Sequence, residues 1–320
     1  MDHDLAPLPL DLYAAARGMA YGATLLLIGA CAFAALLPRW REPEDDDQSL
    51  AARALERTWG IAQWAGAFLV IAHLGRGYGQ VRSFLEPFEP FTWEAARPIL
   101  VETAWGNAWL AQLAVALVVL LLALLSRQRP TTGLALLSTA VLAAAVATPL
   151  TGHATEHPWG RELGLGLHTL HLVGGGLWLG SLGTMLFAGL YPAAGRGLTA
   201  VRRAEVDRSV TRMVRAFSPL ALTGATIAIS TGGLLAIAYV GSLSSLWTSS
   251  YGRVLLLKLA LLLLTLGFGA WNWRRLSPGL GTSKATAQLS RSATIELLIA
   301  SLLLSVTALL VALPAPNLTQ

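Results

Sequence analysis

Four of the chain's six histidines, His153, His157, His168 and His171, fall in the stretch GHATEHPWGRELGLGLHTLHLVGGGLWLGSLG that begins at Gly152. Imidazole titrates near neutrality and, when neutral, binds copper, zinc, iron and nickel. His168 and His171 are three residues apart, so on a helix they project from one side about a turn from each other, with Trp178 on nearly the same stripe. His153 and His157 have the i, i+4 spacing with Glu156 between them, and Pro158 limits any helix there. No zinc-hydrolase pattern of two histidines with a catalytic glutamate accompanies them. The single cysteine, Cys31, lies in a distant apolar segment, so neither CxxC chemistry nor an intrachain disulfide is available.

The elements that must hold these rings follow from composition. Hydrophobic residues make up 54% of the 320 and charged residues 13%, about half the share usual in soluble domains. Eight apolar segments, near 18–37, 58–75, 105–125, 133–150, 163–191, 214–240, 252–273 and 294–313, each approach the roughly 20 residues a membrane-spanning helix needs. Runs such as LAVALVVLLLALL are apolar on every side, unlike the alternating strands of a membrane barrel. The expectation is an all-α polytopic transmembrane bundle of eight spans, one integral membrane domain over 1–320 in contact with lipid. The acidic amino terminus does not resemble a secretory signal, so the first segment is expected to remain as a span.

Loops 38–57, 126–132, 192–216 and 274–293 hold 16 of the 23 lysines and arginines. The positive-inside rule makes these loops cytoplasmic and places both termini in the periplasm. Because the basic residues sit in short loops, the net charge of +5 reports topology and not nucleic-acid binding. In this topology every histidine, His3 and His73 included, lies at or near the periplasmic face. The connection 76–104, with FLEPFEPFTWEAARP, suits a surface-lying segment that can lid an outer site.

Deeper in the spans the polar groups are few. Lys258 stands about 9 Å into its segment, free to snorkel outward or to hold a partner inside the bundle. Glu296 begins the last span, with Arg274, Arg275 or Arg291 as candidate partners. Gln63, Asn107 and Gln112 suit interhelical hydrogen bonds, and Met19 and Met185 are candidate soft copper ligands. Gly174, Gly175, Gly176, Gly180 and Gly183 strip bulk from the histidine-bearing helix, for close packing or for a flat cofactor.

Several of these residues resemble the copper resistance protein D family of bacterial inner-membrane proteins. The likeness rests on GHA at 152–154, LHLVGGGLWLGSL at 170–182, RAFSPLALTGATIAISTGGLLA from Arg215, YGRVLLLKLALLLL from Tyr251, NWRRLSP, and SATIELLIASLLLSVTALLVALP. It covers about residues 100–315, most strongly the second half, while the first two spans match in kind only. The resemblance implies a bundle that moves or manages copper, often with a small periplasmic copper-binding partner. Carried residue by residue, the family pattern falls on His153, His171, Trp178, Gly180, Tyr251, Gly252, Lys258 and Glu296.

The expected function is copper-ion transport from the periplasm. His153 and His171 would be the primary metal ligands, with His168, His157 and His73 supporting, and Trp178, Lys258, Glu296 and Met19 around them. Two alternatives stand beside it. One is a haem b-binding oxidoreductase with His73 and His168 or His171 as axial ligands. The other is a copper receptor that does not translocate the ion.

Overall fold

The computed structural model describes residues 12–42, 49–86, 88–195, 199–276 and 279–318, with all their side chains except those of His153 and Leu276. His3 lies outside the described residues. Continuous apolar runs form α1 (Leu12–Leu36), α4 (Ala104–Leu125), α5 (Pro130–Ala147), α6 (Arg161–Ala193), α7 (Ala200–Val240), α8 (Ser250–Trp271) and α9 (Ser283–Ala312). With their short extensions, these seven are long and apolar enough to cross a membrane. The remaining expected span forms α2 (Leu50–Arg82), whose 33 residues reach about 50 Å but include Arg53, Glu56, Arg57, Arg76 and Arg82. Among the described residues there is no strand, and the all-α polytopic bundle stands.

Several helices outrun the apolar segments that announce them. Hydropathy registers only the part of a helix that lies in lipid, whereas capping residues set where the helix begins. Ser49, Thr199 and Thr282 each accept a backbone N–H of the first turn of α2, α7 and α9. Asp207 on the extension of α7 accepts the Thr286 hydroxyl of α9 at 3.1 Å, tying the two extensions together.

α1 occupies the centre, packed on α2, α5, α6 and α9. Small residues allow that position. A Cβ added at Gly180 would lie 1.9 Å from the Leu25 carbonyl oxygen, and one at Gly29 1.9 Å from the Gly180 carbonyl carbon, so α1 and α6 meet backbone to backbone. α6 departs from α-helical register in two π turns, Gly176–Gly180 and Leu186–Leu190, that flank this crossing. Two 3-10 turns, Thr148–Thr151 and His153–Glu156, join α5 to α6. The expected lid segment forms a short helix α3 (Trp93–Val101) that packs on α2 and α4 through Ala96 and Leu100.

Candidate functional site

α6 presents His168 and His171 to the same neighbour, as their spacing predicts. His168 Nε2 lies 3.0 Å from the Tyr239 hydroxyl of α7. One turn further along, His171 Nδ1 is 2.8 Å from the Ala228 carbonyl oxygen and 3.3 Å from the Thr231 hydroxyl. A carbonyl only accepts, so Nδ1 carries the ring proton and Nε2 keeps its lone pair. This is the tautomer in which a backbone carbonyl orients an imidazole for a metal. Gly232 makes space for the ring, since a Cβ there would lie 2.8 Å from His171 Cε1.

The i, i+4 geometry suggested for His153 and His157 gives way to the 3-10 turn His153–Glu156, from which His157 leaves in extended conformation. The side chain of His153 lies outside the described residues. The His157 ring stands edge-on to Tyr239 at 5.2 Å and to Trp159 at 5.6 Å. Gly164 provides its seat, because a Cβ there would lie 2.4 Å from His157 Cβ. His157 Nδ1 accepts the Trp159 backbone N–H at 3.1 Å, which puts the ring proton on a buried Nε2 that has no hydrogen-bond partner. Burial holds its pKa below the ordinary histidine value. The neutral ring therefore has the tautomer opposite to that of His171, with its remaining lone pair engaged.

Tyr239 thus links His157 and His168, a role that a tyrosine at a span end does not announce in sequence. Lys258 is half-buried on α8, two turns beyond Tyr251. Tyr251 joins the buried cluster of Leu167, Leu235 and Tyr239, and Gly252 sits where a Cβ would lie 2.2 Å from the Ser245 carbonyl oxygen. His73 stands apart. It is buried on α2, where its backbone carbonyl accepts the Trp109 indole N–H at 2.7 Å and its Nδ1 has no partner. α2 packs on α1 and α4 and meets α6 around Leu186–Leu190, about four turns beyond His171. Met19 is 44% exposed on α1. Among the described residues no three His, Cys, Asp or Glu side chains gather as a metal site.

A second polar layer lies further along the same helix. Trp178 and Met185 follow His171 at intervals of seven residues and line a cavity of about 660 Å³ between α6, α7, α8 and α9. Its buried polar end is Glu296, whose carboxylate accepts the Asn272 amide at 3.0 Å and which lines the cavity together with Trp178. The expected partners Arg274, Arg275 and Arg291 make no ion pair with Glu296 among the described residues. Arg275 instead lies over the Trp271 ring at 5.7 Å. The reason is rotational: Glu296 points into the bundle, where an amide supplies the donor. Asn272 lies within the NWRRLSP motif, but nothing in its spacing marks it as the partner of Glu296.

These residues do not fit a haem. The glycines that would admit a macrocycle are used by helix contacts: a Cβ at Gly174 would lie 2.7 Å from the Ala228 backbone nitrogen, and one at Gly176 2.6 Å from Ile28 Cβ. The helix bearing His73 packs chiefly on α1 and α4, whereas the part of α6 bearing His168 and His171 packs chiefly on α7.

Two family profiles match the chain. That of the copper resistance protein D-like N-terminal domain covers residues 7–160, and that of copper resistance protein D covers residues 211–310. The chain belongs to the copper resistance protein D family. In this family member the first two spans, which resemble the family in kind only, fall inside the N-terminal match. His73, His153 and His157 also lie in that match, and Tyr251, Lys258, Asn272 and Glu296 lie in the second. His168, His171, Trp178 and Met185 lie between the two. The copper transport protein CutJ of Bacillus subtilis (strain 168) is 27% identical over 255 residues, 77% of this chain and 42% of that relative, so the chain spans less than half of CutJ's length. No solved structure matches significantly.

Proposed function

We propose that this copper resistance protein D family member carries copper ions from the periplasm across the bacterial inner membrane. A small periplasmic copper-binding protein would be the donor. His171 and His153 take the ion, His168 and His157 buttress the site through Tyr239, and His73, set apart on α2, lies outside it. The observation that carries this reading is the His171 Nδ1–H to Ala228 hydrogen bond, which leaves Nε2 as a fixed ligand on the stripe that continues to Trp178, Met185 and the Glu296 cavity. Two imidazoles hold copper firmly enough for capture and loosely enough for release, and the half-buried Lys258 opposes retention of a cation. In the cavity, the Met185 thioether and the Glu296 carboxylate are the next soft and anionic groups.

The ion would have to pass the tight crossing of α6 with α1 and α7. The π turn Gly176–Gly180 supports movement there, because its hydrogen-bond ladder is already displaced. The same tight packing favours a second reading, a receptor that holds copper at the rim without translocating it. Purified full-length protein in sealed vesicles separates the two. Transport predicts copper accumulation that falls at least tenfold in Glu296→Gln while rim binding is kept. Binding without accumulation in the unaltered protein would overturn the transport reading and leave the receptor.

A further inference from the structure

Charge counting places Arg17 and Arg76 outside the membrane, just before the first apolar segment and just after the second. The structure buries both, Arg17 to 9% and Arg76 to 2% exposure, because α1 and α2 extend past the apolar segments and pack on each other there. The two guanidinium groups share their surroundings. Arg76 Nη2 donates to the Thr151 hydroxyl at 2.6 Å, and Arg17 Nη2 donates to the Thr151 carbonyl at 3.4 Å. Both lie over the Tyr13 ring, at 5.9 Å for Arg17 and 5.5 Å for Arg76. Gly152 is shaped to this arrangement, since a Cβ there would lie 2.5 Å from Arg17 Nη2.

The partners of the pair are neutral. Arg76 Nη1 donates to Gln112 Oε1 at 2.9 Å and Nη2 reaches the Tyr13 hydroxyl at 3.4 Å, while Arg17 Nη1 reaches the Val311 carbonyl at 3.4 Å. Neither arginine has a carboxylate within ion-pair distance among the described residues. Donors remain unused: Arg76 Nε is buried with no hydrogen-bond partner, as is Nδ1 of His73 one turn away, and the contacts of Arg17 to Thr151 and Val311 are long. Arginine cannot shed its proton to escape burial, so two like charges converging on Thr151 are costly unless a negative charge joins them.

We propose that Arg17 and Arg76 form a binding site for a small monovalent anion of halide size at this end of the bundle. The anion takes its hydrogen bonds from the spare guanidinium N–H groups beside Thr151. It neutralises the interior of the bundle on the side where the histidines lie, and so lowers the barrier to a cation. The site is independent of the identity of the metal.

The test uses purified full-length protein in detergent at constant ionic strength, with chloride exchanged for gluconate, an anion far larger than a halide. The melting temperature should rise with chloride, by about 3 °C at ten times its Kd. Chloride NMR line width should broaden with the unaltered protein and narrow on competition by bromide. Arg76→Gln should abolish both responses. If that variant does not fold, the line-width titration on the unaltered protein decides alone. A melting temperature indifferent to anion identity, with no chloride broadening, would overturn the proposal.

Discussion

Replacing His171 and His157 separately by alanine discriminates between the two imidazoles on the basis of their tautomers. His171 holds its proton at Nδ1 on the Ala228 carbonyl at 2.8 Å, so Nε2 binds copper with no change of tautomer. His157 accepts a backbone N–H at Nδ1, so copper at either nitrogen must first displace a proton or a hydrogen bond. Loss of a residue that merely orients a ligand typically weakens metal affinity 10- to 100-fold. Loss of the ligand itself in a site of two or three imidazoles should exceed that, so His171→Ala is expected to weaken copper binding at least about 100-fold, near 2.7 kcal/mol. His157→Ala, which acts on the site only at second hand through Tyr239, should weaken affinity by no more than about tenfold. It should instead lower stability by about 1–2 kcal/mol through lost packing on Tyr239 and Trp159, offset in part by removal of the unpaired Nε2–H. Competition against a chromophoric chelator of known copper affinity, with and without reductant, reads the binding, and thermal melting reads the stability. If His157→Ala weakens binding as much as His171→Ala, the tautomer argument is wrong.

Three further outcomes follow from the packing and polar contacts. Lys258→Met removes a positive charge from the histidine side of the bundle, so copper should bind several-fold more tightly and leave more slowly, seen as a lower Kd and a reduced off-rate in stopped-flow chelator competition. Tyr239→Phe deletes the hydroxyl 3.0 Å from His168 Nε2 and should cost about 1–2 kcal/mol of stability by thermal melting, with copper affinity changed far less than by His171→Ala. Gly180→Ala must push the Leu25 carbonyl from 1.9 Å towards the 3.4 Å of ordinary contact, so it should abolish folded, monodisperse protein on size-exclusion chromatography, whereas Gly183→Ala, whose Cβ would meet Leu297 at 3.6 Å, should be tolerated.

The sequence makes the existence of the helices legible, because hydropathy over about 20 residues is a property of neighbours along one chain, but not their extensions, which begin at the caps Ser49, Thr199 and Thr282. For the same reason it determined that His168 and His171 share a side of α6, since helical pitch converts a spacing of three into adjacency. Tertiary structure alone decided which nitrogen of each ring is free, because that depends on Ala228, Tyr239 and the Trp159 backbone. It also decided that Glu296 meets Asn272 instead of an arginine, and that Arg17 and Arg76 are interior. Helices that are apolar all round carry almost no directional signal, so their sequence cannot say which face meets the bundle. Rotation and register are set where backbones touch, at Gly29 with Gly180 and at Gly174 with the backbone of α7.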